Sequence, residues 1–327
     1  CAVCSIDYGE KQTCIYDVYV DEDMRNKGVG TFFIANLLND YFESNMGGVI
    51  KRNARLESNL KRIKENIFKI ISHLQNELKQ SEFRPINFEF NINEKGIANL
   101  TGDNGIEIVI RGVIDRVDIY ESNGEKYIRV IDYKTGKKIF SMSSLLYGIN
   151  LQMLLYMFTI TGSGGAYSDC NPAGVLYMPS GEIVCGRDRD ESDNMEEYLN
   201  KHYKMNGVVL NDRAVLNAME KDIQGIYIPA KLLKGDTGDG ELLLNKRSSS
   251  CLTSSQFKKL RQHTEKIIID VCNELYSGNI DADPLVISGG SPCDYCDYWS
   301  VCGNVPCEKY READKNAEEK MLKIISD

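Results

Sequence analysis

The chain has 327 residues, enough for one large domain or two ordinary ones. With 42% hydrophobic and 27% charged residues it has the composition of a globular protein, and no apolar run approaches the roughly 18 residues of a membrane span. The net charge of −9 argues against a protein that coats nucleic acid nonspecifically, though not against an enzyme with local basic groups.

The first residue is Cys rather than Met, as in a fragment or a processed chain, and no secretory signal precedes the first strand-like segment, which implies a cytoplasmic protein. Residues 1–20 read as strands, with "CIYDVYV" the clearest run. "DEDMRNKGVG" is a loop, "TFFIANLLNDYFE" a helix and "MGG" its end. Residues 51–81 have helical periodicity, with Leu56, Leu60, Ile63, Ile67, Ile70, Ile71, Leu74 and Leu78 on one stripe and Pro85 beyond the end. Between Lys51 and Arg84 stand nine Lys and Arg against four Asp and Glu, which is either a solvated helix face or a phosphate-facing stripe.

"INFEFNI" is a strand. "IEIVIRGVIDRVDIY" and "YIRVIDYK" are two longer strands joined by "ESNGEK", and "SSLLYGINLQMLLYMFTI" is an apolar helix. "GVLYMPSGEIV" is a strand with a turn, and residues 189–245 show no clear periodicity. "LTSSQFKKLRQHTEKIIIDVCNELYSG" is an amphipathic helix capped by Thr253 or Ser254. The order of elements predicts a mixed α/β architecture with at least one antiparallel hairpin.

Asn123-Gly124 between two apolar strands is a strong hairpin signal. A two-residue loop there sets Asp115 directly across from Asp132. Lys134, two residues along, shares that face. Facing carboxylates in an apolar sheet repel unless a cation intervenes, and their hard oxygens suit Mg²⁺ or Mn²⁺. The Lys134 ammonium would then hold and polarise a water beside the ion. The plain alternative is a surface-edge hairpin with ordinary charges, since Arg116 and Asp118 on the other face show that this sheet tolerates them.

"GVIDRVD", then "VIDYKTGKK", then "YGINLQMLLYM" resemble, in that order, the RecB-like branch of the PD-(D/E)XK nucleases. The resemblance implies a restriction-endonuclease-like core, a mixed sheet flanked by helices. It implies that Asp115 and Asp132, with the Tyr133 carbonyl, bind Mg²⁺, that Lys134 activates water, and that Gln152 and Tyr156 on the next helix help to hold the site. "SEFRPINFEF", "YKMNGVVL" and "NKRSSSCLTSSQF" extend the likeness to the C-terminal nuclease region of the AddB component of AddAB-type helicase–nucleases. Glu89 on "FEF" is then either a supporting carboxylate or a side chain turned to solvent. Without a G-x-x-x-x-G-K-[ST] loop, a motor acting on single-stranded DNA ends would belong to another domain or to a partner subunit of the AddA kind.

Eleven cysteines are many for a cytosolic chain and too scattered for a disulfide scaffold. "SPCDYCDYWSVCG" gives Cys293, Cys296 and Cys302 a spacing compatible with zinc or a [4Fe–4S] cluster, with Tyr295, Tyr298 and Trp299 as a shield. The family resemblance implies the [4Fe–4S] cluster, with a fourth cysteine far upstream. Cys4 is the expected ligand, with Cys1, Cys14 and Cys307 as alternatives. Cys170, Cys185, Cys251 and Cys272 are expected in the core or incidental.

At the N-terminus, Arg25, Gly28 and Gly30 form an R-x-x-G-x-G loop between a strand and a helix, which resembles the acetyl-CoA pyrophosphate loop of the GNAT acetyltransferases. The nuclease family instead starts a helix here with "GTxxH", and this chain has Gly30-Thr31 followed by Ile34 in place of the His. The expected organisation is therefore an N-terminal segment over 1–48, read as a degenerate nuclease start or an acetyltransferase-like remnant. A nuclease domain over 49–286 and a cysteine-rich tail over 287–327 follow. Two rival functions accompany the nuclease: a catalytically inactive DNA-binding scaffold, favoured by Ile34, and an acetyl-CoA-binding fragment.

Overall fold

A two-residue turn sets the centre of the fold. Asn123 and Gly124 take φ of 53° and 81°. That left-handed pair twists in the sense a hairpin needs, and Asn and Gly adopt it most cheaply. In the computed structural model the turn joins β6 (Val113–Ser122) to β7 (Glu125–Lys134), with Ser122 opposite Glu125 and Arg116 opposite Ile131. The structure describes residues 2–8, 13–20, 36, 40, 41, 44, 53–92, 100–102, 105, 107–136, 139–182, 195–232, 250–287, 290–302 and 310–326, and of 2–8 and 13–20 the backbone alone.

The chain divides into two units, Cys1–Gln75 with Glu182–Glu191, and Asn76–Gly181 with Ser192–Asp327. The first contains the antiparallel pair β1 (Ala2–Tyr8) and β2 (Thr13–Val20), bulged between Ser5 and Ile6, and most of α1 (Ala54–Gln80). The Asn53 side chain accepts from the Arg55 N–H at 3.0 Å, a helix start that the apolar periodicity alone does not mark. On the basic helix Arg62 donates to both Glu182 oxygens, at 2.7 and 2.5 Å, and Lys69 also lowers the Glu182 carboxyl after Arg62 does. The basic stripe is thus partly neutralised within this unit.

The second unit is built on a six-stranded mixed sheet in the order β10-β9-β8-β7-β6-β3. Its outer members are β3 (Arg84–Asn91), β8 (Cys170–Pro179), β9 (Asn206–Leu210) and β10 (Cys251–Leu252). β7 and β8 run parallel, as do β9 and β10, and the other neighbours are antiparallel. The strand expected over 106–120 is interrupted. β5 (Glu107–Ile108) pairs with β4 (Leu100–Thr101), and β6 begins only after Gly112, whose carbonyl accepts the Ile92 N–H at 2.9 Å.

The apolar helix expected over 143–160 is two helices, α2 (Met142–Leu145) and α3 (Gln152–Thr161). Gly148 at φ 77° and Asn150 at φ 66° turn the chain between them, a conformation an α-helix does not contain. The segment without periodicity holds α4 (Met195–Tyr203), β9 and α5 (Arg213–Met219). α6 (Ser254–Tyr276) is capped by Thr253 in a capping box with Gln256. The C-terminal region adds the parallel pair β11 (Leu285–Val286) and β12 (Arg311–Glu312), then α7 (Ala317–Ser326), which buries Met321 and Ile325.

Far from being a surface edge, β6 and β7 are central strands, and the charges on their second face are buried. Arg116 is 1% exposed, and Asp118 and Arg129 are fully covered. Arg116 grips Asp118 with two bonds of 2.7 and 2.6 Å, and Arg129 donates to Asp118 at 2.8 Å. Glu77, from the last turns of α1, accepts from Arg116 at 3.2 Å and from Arg129 at 2.6 Å. Two guanidinium groups thus meet two carboxylates, with the Arg129 guanidinium also 4.9 Å from the centre of the Phe83 ring.

Burial alone would raise the Asp118 carboxyl, but Arg129 and then Arg116 outweigh it and hold the group below its ordinary range. A depressed folded-state value means that this contribution is complete above the unfolded carboxylate pKa, about 3.9, and drains as pH falls through the lower folded value. Asp118→Ala strands two buried arginines. We expect chemical denaturation to show a loss of about 3–5 kcal/mol.

Candidate active site

The hairpin register, continued one residue beyond Arg116 and Ile131, sets Asp115 across from Asp132 as the sequence predicts. The two strands are also tied at this level, because the Tyr133 N–H donates to the Asp115 carboxylate at 2.7 Å. Asp132 is 6% exposed, and the Lys134 ammonium lies 2.7 Å from its Oδ2. The end of β7 therefore carries a half-buried carboxylate–ammonium pair beside a second carboxylate. Tyr133, between them in sequence, turns its ring to the other face, where the Arg116 guanidinium donates to its hydroxyl at 3.2 Å.

Glu89 joins this group. β3 pairs Phe88 with Arg116 and Phe90 with Ile114, so Glu89 falls opposite Asp115. Its carboxyl is raised, first by burial and then by Asp115. Its backbone adopts φ 48°, a left-handed conformation that is costly for a Glu within a strand. Its side chain is exposed, so Glu89 stands opposite Asp115 in register while reaching solvent, as the second of the two readings from sequence expects.

Gln152 and Tyr156 lie one turn apart on α3, joined by a 3.1 Å bond from the Gln152 amide to the Tyr156 hydroxyl. The Tyr156 ring rests on the backbone just before β6: a Cβ on Gly112 would stand 2.1 Å from its hydroxyl oxygen. Glycine is thus what lets α3 approach the strand that carries Asp115. Spacing alone does not assign this role, although a glycine inside a strand-like segment is a signal for a close backbone approach.

The donors presented at the strand ends are hard oxygens, and they fit a divalent ion of the Mg²⁺ or Mn²⁺ kind. Among the described residues no three His, Cys, Asp or Glu side chains group closely enough to hold a metal by themselves. An ion here would depend on the aspartates with backbone carbonyl and water as the remaining ligands.

In the cysteine tail, Ser291 caps a 3-10 turn over Pro292–Tyr295, and the Cys296 N–H closes on the Cys293 carbonyl at 3.3 Å. The described residues do not gather Cys293, Cys296 and Cys302 into one ligand group. Soft thiols fit zinc or iron by their donor chemistry. The expected aromatic shield is open, with Tyr295 at 92% and Tyr298 at 72% exposure. Cys170 is buried as expected. Burial pushes its thiol up to about 11 and that of Cys251 to about 12, which leaves both unreactive. Cys4 lies on β1 and Cys14 on β2, whereas Cys1, Cys185, Cys307, Ile34 and the loop of Arg25, Gly28 and Gly30 fall outside the described residues.

The mixed sheet thus carries two aspartates and a lysine at the ends of adjoining strands. The PD-(D/E)XK nuclease superfamily profile matches residues 35–303, and the chain belongs to that superfamily. The chain is similar to proteins named as the B component of an ATP-dependent helicase/deoxyribonuclease, at 30% identity in Clostridioides difficile and 32% in Clostridium botulinum. These alignments cover 85% and 88% of this chain and 25% of each relative. The relative of the same name from Clostridium acetobutylicum is 29% identical over 89% of this chain and 26% of its own length. The chain thus spans about a quarter of the length of the curated relatives it matches. Residues 1–64 also match the acetyltransferase (GNAT) family, so the N-terminal resemblance is borne out and overlaps the nuclease match over 35–64.

A side chain at Gly112 collides with Tyr156, and Gly112→Ala should cost about 1–3 kcal/mol of stability. In a Tyr156→Ala background the same change should cost much less, and a double-mutant cycle in denaturant measures the difference.

Proposed function

We propose that the chain is the nuclease domain of an AddB-like component of a helicase–nuclease, hydrolysing phosphodiester bonds of single-stranded DNA in double-strand break repair and recombination. The observation that carries this reading is the placement of Asp115, Asp132 and Lys134 on one face at the ends of paired strands. The names of the relatives, which pair a helicase with a deoxyribonuclease, support the setting we propose: a motor and a partner subunit of the AddA kind, in the cytoplasm.

Asp115, Asp132 and the Tyr133 carbonyl would hold Mg²⁺ or Mn²⁺, and Glu89 would support Asp115. Such an ion, when bound, stabilises the negative charge that develops on the phosphoryl and leaving oxygens. Lys134 orients the attacking water through its ammonium, and the Asp132 carboxylate 2.7 Å away holds that ammonium in place. Gln152 and Tyr156 fix the helix against the Asp115 strand and so keep the carboxylates in register with the substrate.

In the tail, Cys293, Cys296 and Cys302 would hold a [4Fe–4S] cluster with Cys4 as the fourth ligand. Cys1, Cys14 and Cys307 are the other candidates. A second reading concerns the N-terminus alone: the acetyltransferase match over 1–64 supports a remnant of an acetyl-CoA-binding fold there. Ile34 in place of the family His supports a third, in which the chain binds DNA without cutting it.

Asp132→Ala and Lys134→Ala should each lower Mg²⁺-dependent cleavage of single-stranded DNA by about a hundredfold or more, with an unchanged circular dichroism spectrum. Wild-type rates in either variant refute the site, and a wild-type chain inert in both Mg²⁺ and Mn²⁺ favours the non-cutting scaffold. Anaerobically purified protein should be brown with broad visible absorbance that is lost in Cys293→Ala. A colourless protein with stoichiometric zinc refutes the iron assignment.

A further inference from the structure

The parallel pairing of β7 and β8 sets Asp132 beside Tyr177, and Lys134 beside Pro179. Cross-strand partners project to the same face, so the Tyr177 ring lies on the side of the sheet that carries the carboxylates. Tyr177 is only 2% exposed. A buried phenol almost always has a hydrogen-bond partner, and the neighbouring site group is an acceptor with two oxygens. Tyr203 is equally covered elsewhere in the core.

Lys134 already places one cation on Asp132. A second cation there would cancel the charge that a metal ion needs. A neutral hydroxyl fixes the carboxylate and leaves its charge in place. The ring is also too deeply covered to meet a substrate.

We propose that Tyr177 is a positioning residue of the nuclease site, its hydroxyl donating to the Asp132 carboxylate from the neighbouring strand. The inference rests on the metal-dependent nuclease reading of that site. It adds a fixed point that the hairpin motifs do not contain.

The test uses the full chain and Mn²⁺ as the probe. Tyr177→Phe should weaken Mn²⁺ binding in calorimetry by about tenfold or more. It should also lower kcat for single-stranded DNA with KM little changed and keep a near-native melting temperature. Tyr203→Phe, the same atom removed elsewhere in the core, should leave Mn²⁺ affinity unchanged. Wild-type Mn²⁺ affinity and kcat in Tyr177→Phe overturn the proposal while the nuclease reading stands. An equal loss of affinity in Tyr203→Phe also overturns it.

A second measurement covers a Tyr177→Phe protein that fails to fold, or a wild-type chain that neither binds Mn²⁺ nor cuts and so refutes the nuclease reading itself. With 3-fluorotyrosine at position 177 alone, Asp132→Asn should shift the fluorine resonance. An unmoved resonance means there is no contact and no positioning role.

Discussion

One constraint governs both faces of the central sheet: the register of β6 against β7, pinned by the turn at Asn123 and Gly124. Side chains alternate along a strand, so a slip of one residue would send every group to the wrong side. In the register that forms, Asp115, Asp132 and Lys134 share one face. Arg116, Asp118, Arg129 and the Tyr133 ring share the other. The site and the buried ion cluster are therefore one decision of the chain, taken at a two-residue turn.

The faces differ in how their charges balance. Behind the sheet, Glu77 and Asp118 meet Arg116 and Arg129 in a closed, neutral set, which is how four buried charges are tolerated. In front, Asp115, Asp132 and Glu89 have Lys134 as the cation within their own group. That imbalance leaves negative charge at the strand ends, and the Glu89 carboxyl is raised first by burial and then by Asp115. The back cluster stabilises a geometry whose front, taken alone, repels itself.

The parts of this arrangement that depend on neighbours in sequence were legible before any fold was known. Asn-Gly fixed the hairpin and its register, the Asp-x-Lys spacing fixed a shared face, and Thr253 or Ser254 marked the start of α6, of which the structure uses Thr253. Contacts between distant elements were not legible. Nothing near Glu77 in sequence says that it will be covered, because its partners lie on β6 and β7. Gly112 sat inside what read as a single strand, and the Tyr156 ring packed on its backbone is what demands a glycine there. The apolar run before Thr161 read as one helix because hydrophobicity carries no trace of the left-handed backbone at Gly148 and Asn150.

Tyr133 joins the two faces. Its hydroxyl accepts from Arg116 behind the sheet and its N–H donates to Asp115 in front, while its neighbours in sequence are Asp132 and Lys134. The end of β7 is therefore held at three points: by the ladder to β8, by the Asp115 carboxylate, and by the ion cluster through the phenol. A site meant to stabilise charge gains from donors and acceptors fixed before substrate arrives, since no reorganisation is then needed at the moment of reaction. Rigid strand ends backed by a closed ion cluster provide that fixity, whereas loops would leave the same residues free to relax around their own repulsion. This explains why buried charge, costly in itself, lies directly behind the carboxylates: the rigidity it gives β6 and β7 is what keeps like charges facing one another.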